Sequence, residues 1–250
     1  MAEPARVTEA VVEFMGGAAS REFPAEAVTT ARRCLIDGLG VMLAGSTQAV
    51  GHILGDYLRA ANSGGDATAF GAQPFRTGAA PAALLNGTSG HALDWDDTQL
   101  ATSSDRIFGL LTHPTIPPMV AALAISEQIG ARTGGTRRVS GRQFLEAFLT
   151  GFEVESKIAE AIHPNHYMKG FHSSGTVGTF GAVAAAARLL DLDAAKTAHA
   201  LAIAASSAAG IRVNFGTMTK PLHVGRAAHN GVVAAELAAR GFTGGKDALD

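Results

Sequence analysis

Apolar residues recur along most of the chain at spacings of three and four, which is the period of an amphipathic helix. The run with the most regular spacing follows Pro24, which suits a first helical turn, and it reaches a natural end at Gly45. Its apolar positions are Val28, Ala31, Leu35, Leu39 and Met42. Alternation of apolar and polar residues, the period of a half-buried strand, is nearly absent. The pattern therefore predicts an all-α fold.

Further helices are predicted by the same period. They span about residues 5–15, 51–61, 81–93, 117–129, 140–162, 175–190, 193–209 and 221–240. Ser140 with Gln143 three residues later is the signature of a capping box, and Gly241 suits the end of the last helix. Stretches rich in Ala and Gly, such as 181–187, allow helix axes to approach closely. We predict that residues 1–250 form one compact helical bundle.

Charge and composition narrow the classes of function. With 20 basic and 22 acidic residues and a net charge of −2, the chain lacks the basic surface that nucleic acids require. Its longest apolar stretches, 175–187 and 198–211, are interrupted by polar residues and fall short of the roughly 20 residues that cross a bilayer. Charged residues also interrupt the N-terminal segment, unlike a signal peptide. We therefore expect a cytoplasmic protein that binds a small molecule.

The densest polar stretch is 91–98, which holds carboxylates, a hydroxyl and an imidazole within an Ala- and Leu-rich chain. Acids crowded at a helix end repel one another, which should raise the pKa of at least one of Asp94, Asp96 and Asp97. Asp94 follows His91 by three residues, so we expect the two side chains to pair on one helical face. The alternative is that these acids only cap a helix and bind water.

Several predicted helices begin just after a residue that is, or can become, cationic: His113, His172 and Lys220. Helix N-termini offer free N–H groups and a positive dipole end, which favours bound anions. Lys220 is followed at intervals of three by His223 and Arg226, which extends the cationic surface along one helix. Together these residues predict one site for an anion with two or three carboxylates.

Metal and cofactor sites are weakly indicated. His163 and His166, with His172 further on, span a predicted helix end and lack the one-face geometry of an HExxH zinc site. The single Cys34 excludes an internal disulfide and cannot hold an iron–sulfur cluster alone, and it is expected in the core. We therefore predict neither a metal nor another cofactor.

At these residues the sequence resembles the MmgE/PrpD family, which includes 2-methylcitrate dehydratase, cis-aconitate decarboxylase and iminodisuccinate epimerase. The resemblance extends from about Glu9 to the last residue. It is carried by the segments 33–40, 85–88, 91–98, 113–114, 170–178 and 220–228. It implies a metal-free enzyme for small di- or tricarboxylates.

The resemblance also implies which residues form the site. The expected catalytic residues are Asp94, His113, His172 and Lys220. The resemblance also implies that Thr98 contacts the substrate, and the polar clusters themselves add His91, Ser173, His223 and Arg226 as expected substrate contacts. The segment 100–112 has its own local character, and we expect it to influence substrate choice. Family members carry a second, smaller α+β domain that supplies a further lysine and a tyrosine; it is absent from residues 1–250, which would then hold half of the catalytic shell.

Our hypothesis for the chemistry is proton removal from a carbon next to a carboxylate. Asp94 or His113 would act as the base and His172 as the acid, while Lys220 and helix N-termini would stabilise the resulting charge. We rank dehydration, as of 2-methylcitrate, ahead of epimerisation and decarboxylation, because an acid–base pair and several anion contacts suffice for it. The alternative is a non-catalytic helical module for binding or oligomerisation, since the Ala- and Gly-rich helices also suit a homodimer interface.

Overall fold

A computed structural model describes residues 6–17, 22–61, 64–71, 73–99 and 111–250, and these are mostly helical, as predicted. The helices are α1 (Val7–Gly16), α2 (Ala25–Gly45), α3 (Ala49–Ala60), α4 (Ala79–Gly90), α5 (Ile116–Arg132), α6 (Gly141–Ile162), α7 (Asn165–Met168), α8 (Ser173–Thr176), α9 (Gly178–Leu189), α10 (Ala194–Ser207) and α11 (Thr219–Ala239). A short 3₁₀ helix covers Arg212–Asn214. The start of the predicted helix 5–15 lies outside the described residues.

Local signals located several helix ends correctly. Ser140 caps α6 by accepting from the N–H of Gln143 at 3.2 Å, and the Gln143 side chain accepts from the N–H of Ser140 at 2.9 Å, so the capping box is confirmed. Gly45 is the last residue of α2, and Gly241 follows α11 with φ of +93°. Local chemistry at these positions is enough to end a helix.

Other predicted boundaries were wrong. The predicted helix 81–93 ends early, at Gly90, and residues 91–94 form a turn. The predicted helix 175–190 is divided at Val177, which separates α8 from α9. The first difference matters for function, because it places His91 at a helix end rather than inside a helix.

Two short strands were not predicted. β1 (Ala67–Ala69) pairs antiparallel with β2 (Phe75–Thr77), and Ala67 lies opposite Thr77. Each strand is too short to show an alternating pattern. Asn86 of α4 holds this hairpin, since its side chain accepts from the N–H of Phe70 and donates to the carbonyl of Thr68.

The core is centred on α9, which packs against α5, α6, α10 and α11. Residues 181–187 of α9 are almost all Ala and Gly and are buried, so the neighbouring helices can approach its backbone closely. Cys34 is partly buried against the same core. Among the described helices none is, on its own, both long and apolar enough to cross a membrane, although α2 and α3, bent by 80°, meet that test when joined.

α4 and α11 cross at two glycines. A Cβ atom on Gly87 would lie 2.9 Å from the Cα of Gly225, and a Cβ atom on Gly225 would collide with the carbonyl of Leu84 and the hydroxyl of Thr88. Only glycine therefore allows this approach at either position. The crossing fixes the distance between the end of α4 and the start of α11.

Candidate active site

The ends of four helices meet at one place. α4 ends at Gly90 and leads into the acidic turn, α5 begins at Ile116 just after His113, and α8 and α11 begin beside His172 and Lys220. The convergence predicted for His113, His172 and Lys220 is therefore present. His172 is anchored by its N–H, which donates to the carbonyl of Gly210 at 3.0 Å.

Two histidines and two aspartates form what we call the acid–imidazole cluster: His91, His113, Asp94 and Asp96. Each ring has Nδ1 towards Asp96 and Nε2 towards Asp94. The Nδ1 atoms of His91 and His113 lie 2.9 and 3.5 Å from Asp96 Oδ2. Their Nε2 atoms lie 3.9 and 3.7 Å from Asp94 Oδ1. The two imidazoles thus bridge one buried carboxylate and one half-exposed carboxylate.

Asp96, rather than the expected Asp94, is the closer partner of His91. The prediction assumed that the helix continues to Asp94, but α4 ends at Gly90 and Asp94 has φ of +57° in the left-handed region. The turn therefore brings the buried Asp96 back towards His91 and directs Asp94 towards α11. Asp96 belonged to the acidic group noted in the sequence, although nothing there distinguished it as the partner.

Lys220 completes the cluster from the first turn of α11. Its ammonium donates to Asp94 Oδ1 at 2.6 Å and lies 5.1 Å from the ring centre of Phe215. Burial alone would raise the pKa of Asp94, but the hydrogen bond and charge of Lys220, together with His91 and His113, lower it below its usual value. Asp94 is thus held as a carboxylate.

His172 and His223 extend the site on its other side. Their Nδ1 atoms lie 3.0 Å apart, and the His172 ring stacks on His91 at 5.6 Å between centroids. Burial lowers the pKa of His172 to about 2, and the charges of His91, His223 and Lys220 act in the same direction. Burial also lowers the pKa values of His113 and His223, although Asp96 and Asp94 oppose the shift at His113. These imidazoles are therefore favoured in their neutral form.

Asp97 is the carboxyl whose pKa is raised, to about 6, which confirms that one member of the acidic group is shifted upward. Burial is the main cause, and the charge of Asp96 adds to it. Asp97 does not join the cluster: its oxygens accept from the N–H of Thr115 at 3.2 Å and from the Thr115 hydroxyl at 2.8 Å. It fixes the start of α5, and with it His113.

The other predicted substrate contacts, Thr98, Ser173 and Arg226, lie at different distances from the cluster. The Thr98 hydroxyl lies 3.4 Å from His113 Nδ1, at the edge of the cluster. Ser173 is buried, and its hydroxyl lies against His163 instead. Arg226 is exposed, its charge acts on His229, and the cluster contacts found within the described residues do not include it. Residues 100–110 of the segment expected to influence substrate choice lie outside the described residues.

Two hydrogen bonds between a histidine and a hydroxyl lie next to His172 in the chain, and we call them the hydroxyl–imidazole pairs. His163 Nε2 lies 2.6 Å from the Ser173 hydroxyl, and His166 Nε2 lies 2.7 Å from the Thr176 hydroxyl. His163 Nδ1 lies 3.0 Å from the carbonyl of Ala159. The pairs attach α8 to the end of α6 and to α7. Sequence reasoning treated these histidines only as possible metal ligands and missed their hydroxyl partners.

One further contact was not foreseen. The edge of Phe215 meets the ring of His172 at 4.9 Å, so this one phenyl group touches both His172 and Lys220. No sequence signal indicated Phe215, because the 3₁₀ helix that positions it is too short to have a period. Within the described residues, the four cluster side chains also offer metal-ligand atoms that all lie within 4.8 Å of one another.

Comparison with known proteins agrees with the resemblance seen in the motifs. Residues 9–250 match the MmgE/PrpD N-terminal domain. Cis-aconitate decarboxylase of Homo sapiens is 33% identical over 98% of this chain and 48% of its own length, and that of Mus musculus is 32% identical over the same shares. A cis-aconitate decarboxylase-like protein of Aspergillus oryzae is 30% identical over 92% of this chain and 46% of its own length. The chain spans about half the length of these relatives.

Proposed function

Because this chain belongs to the MmgE/PrpD family, we propose that it supplies the acid–base and anion-binding groups of a lyase site for a small di- or tricarboxylate. The observation that carries the proposal is the position of Asp94 Oδ1, between two histidine Nε2 atoms and the Lys220 ammonium. A proton acceptor and an anion-binding cation therefore share one small space.

Lys220 is the proposed anchor for a substrate carboxylate. Its ammonium lies at the first turn of α11, where the positive end of the helix dipole adds to the positive potential. The substrate carboxylate would share this ammonium with Asp94 or displace Asp94 from it. Release of Asp94 would leave it beside His113 as a stronger base, because the hydrogen bond that lowers its pKa would be lost.

We propose decarboxylation of cis-aconitate as the first candidate reaction, since the relatives of Homo sapiens and Mus musculus carry that name. The bond between the methylene carbon and its carboxylate breaks, and the electron pair becomes a new terminal double bond. The former double bond takes up one proton at its CH carbon. His113 is the proposed donor: it takes up the consumed proton from solvent, as an imidazolium that Asp94 and Asp96 on either side stabilise, and then passes it to this carbon.

Dehydration of 2-methylcitrate, the first choice from the sequence, is the second candidate. It needs a base for the C–H proton and a donor for the leaving hydroxyl. The acid–imidazole cluster offers the base, and the neutral His172 ring, which stacks on His91, offers an N–H donor on the adjacent side. The relatives favour decarboxylation, so we place dehydration after it.

The test is a product assay on the complete translated protein. We expect incubation with cis-aconitate to give CO₂ and a dicarboxylate with two vinyl protons in the proton NMR spectrum, and Asp94→Asn to slow the reaction strongly. Dehydration would instead convert 2-methylcitrate into an unsaturated tricarboxylate with no CO₂. Neither product from a folded full-length protein would contradict the lyase proposal and favour the non-catalytic module.

We also propose a homodimer, but through a different surface from the one that composition suggested. The Ala-rich α9 is buried in the core and is unavailable for association. α2 instead exposes Ile36, Leu39 and Leu43 at helical spacing. Light scattering should give the mass of two chains, and Leu43→Lys should shift it towards one.

A further inference from the structure

His172 and His223, which we call the imidazole pair, share one hydrogen bond, between their Nδ1 atoms at 3.0 Å. Two nitrogen lone pairs would repel each other at this distance, so one hydrogen lies between the two atoms. The Nε2 atoms form the other two ends of the pair. Within the part of the chain that the structure describes, neither Nε2 atom has a hydrogen-bond partner.

The shared hydrogen fixes the state of both free ends. If His172 donates at Nδ1, its neutral ring has a lone pair at Nε2, and His223 carries its own hydrogen at Nε2. If His223 donates instead, the lone pair is at Nε2 of His223 and the hydrogen is at Nε2 of His172. In both arrangements the pair therefore has one accepting end and one donating end.

The free ends of the pair are open, unlike the Nε2 atom of His91. That atom is buried without a partner, whereas the buried unpartnered atoms of the described residues do not include Nε2 of His172 or of His223. The ring of His172 stacks on His91 and so borders the acid–imidazole cluster. His223, on α11, is the more exposed ring, at 9% against 3% for His172.

We propose that the imidazole pair is a proton relay, in which His223 exchanges protons with solvent and passes them to the site through His172. His223 is then a positioning residue that acts on the substrate only through His172, rather than the direct substrate contact that the sequence predicted. Its role in turnover rests on the proposed lyase function, whereas the bond between the two rings does not.

The relay balances in both directions. For delivery, solvent protonates Nε2 of His223, the hydrogen on Nδ1 of His223 moves to Nδ1 of His172, and His172 gives up the hydrogen on its Nε2. For removal, His172 accepts at Nε2, its Nδ1 hydrogen moves to His223, and the Nε2 hydrogen of His223 leaves to solvent. After the product has left, water that refills the site donates to His172, and the opposite passage resets the pair.

Burial explains why His172 needs such a partner. It lowers the pKa of this imidazole to about 2, so the ring does not hold a second proton near neutral pH. In the relay His172 gains one hydrogen as it loses another, and it stays neutral. In dehydration this passage delivers a proton to the leaving hydroxyl, and in decarboxylation it supplies the proton that the reaction consumes.

The first experiment measures the kinetics of His223 variants in the product assay, on the complete translated protein. His223→Ala and His223→Gln should both lower kcat about one hundred-fold and change KM less than about three-fold, because neither side chain passes a proton. Gln can still hydrogen-bond to Nδ1 of His172, so a merely structural role would leave His223→Gln nearly active. Imidazole added to the buffer should accelerate His223→Ala at least about ten-fold, since it can occupy the vacated space, and should not accelerate His223→Gln.

His229→Gln is the matched control. His229 lies on the same helix, and its Nδ1 lies 3.2 Å from the side-chain oxygen of Asn230, outside the imidazole pair. This variant should keep the wild-type kcat and should not respond to imidazole. Circular dichroism verifies that each variant is folded.

NMR of protein labelled with ¹⁵N-histidine detects the bond without substrate. A hydrogen shared by two nitrogens gives a scalar coupling between them, which we expect between the Nδ1 atoms of the pair in the wild type and in His229→Gln. The relay is overturned if this coupling is absent, if His223→Gln keeps the wild-type kcat, or if imidazole does not accelerate His223→Ala. A wild-type protein that turns over neither substrate would contradict the lyase proposal, and with it the role of the pair in turnover, whereas a missing coupling contradicts the relay alone.

Discussion

The acid–imidazole cluster and the hydroxyl–imidazole pairs differ in one respect that decides their chemistry. In the pairs, His163 and His166 each meet a hydroxyl at Nε2, and a hydroxyl can donate. In the cluster, among the described residues, the Nε2 atoms of His91 and His113 face a carboxylate oxygen at 3.9 and 3.7 Å. The pairs are satisfied and structural, whereas the buried Nε2 atom of His91 has no hydrogen-bond partner among the described residues.

This difference shows that histidine spacing is a poor guide to function. The more compact sequence motif, with His163 and His166 three residues apart, forms the structural pairs. The reactive group combines His91 and His113, which are far apart in sequence and meet at the ends of two helices. What matters is whether the partner of each ring nitrogen can donate a hydrogen.

Loss of the Lys220 charge should have the largest effect on turnover. We expect Lys220→Met to slow the proposed reaction by roughly two to three decades, or about 3–4 kcal/mol in barrier, because a preorganised cation no longer stabilises substrate charge. His166→Gln, in the hydroxyl–imidazole pairs, should cost less than about one decade. Steady-state kinetics on both variants measures the contrast, with the exposed Arg226→Met as a charge control on the same helix. A similar loss in Arg226→Met would mean that net charge, and not position, matters.

Acid should destabilise the protein mainly through His172. Its pKa falls from 6.5 to about 2 on folding, so between these values the unfolded chain binds more protons and stability falls as pH drops. The slope is up to about 1.4 kcal/mol per pH unit. Urea unfolding at pH 7.5, 6.5 and 5.5 should show this loss, and His172→Gln should flatten it more than His166→Gln, whose ring is half-buried. If the free energy of unfolding depended on pH equally in His172→Gln and His166→Gln, the distinction between the buried His172 and the hydroxyl–imidazole pairs would be contradicted.

Glu155 is a buried acid whose side chain, like Nε2 of His91, has no hydrogen-bond partner among the described residues. Both of its oxygens lack a hydrogen-bond partner among the described residues, and burial raises its pKa well above the usual value. The folded state keeps a proton that the unfolded chain releases, so this residue costs stability as pH rises above about 4.5. Glu155→Met should therefore raise the free energy of unfolding at pH 8 by about 1–3 kcal/mol and have less effect at pH 5. A larger gain at pH 5 than at pH 8 would reverse the sign and refute it.

The smallest effect is expected within the pairs. Ser173→Ala leaves His163 Nε2 without its hydroxyl in a buried place and should lower the free energy of unfolding by about 1–2 kcal/mol. Thr98→Val is the matched change at the cluster, where the contact is 3.4 Å long, and should stay within about 0.5 kcal/mol. Thermal unfolding compares them. An equal loss in both would indicate that Thr98 is as firmly bound as Ser173.

The sequence predicted the long helices and the members of the site because both leave local signals. The period of α2, the Ser140–Gln143 capping box and the helix start at Lys220 depend on neighbours in sequence. The predicted assembly of His113, His172 and Lys220 followed from one shared rule, that helix N-termini favour anions. A rule of this kind identifies members of a site but not their partners.

Partner choice depends on turns and packing that no local pattern encodes. Asp96 replaced Asp94 beside His91 because α4 ended one turn early and Asp94 adopted a positive φ. The Ser173 hydroxyl found His163 because α8 is separate from α9 and packs against the end of α6. Phe215 reaches the site from a 3₁₀ turn with no periodic signal.

The glycine crossing of α4 and α11 makes the dimensions of the site sensitive to substitutions outside it. Asp94 lies in the turn that follows α4 and Lys220 lies in the first turn of α11, each only a few residues from the place where Gly87 and Gly225 touch. A single methyl group at Gly225 would push α4 and α11 apart. The 2.6 Å ion pair between Asp94 and Lys220 would then lengthen, although both charged residues would still be present. The dimensions of the reactive space are thus set by two residues that have no side chain, and a search for variants that weaken the site should begin with them.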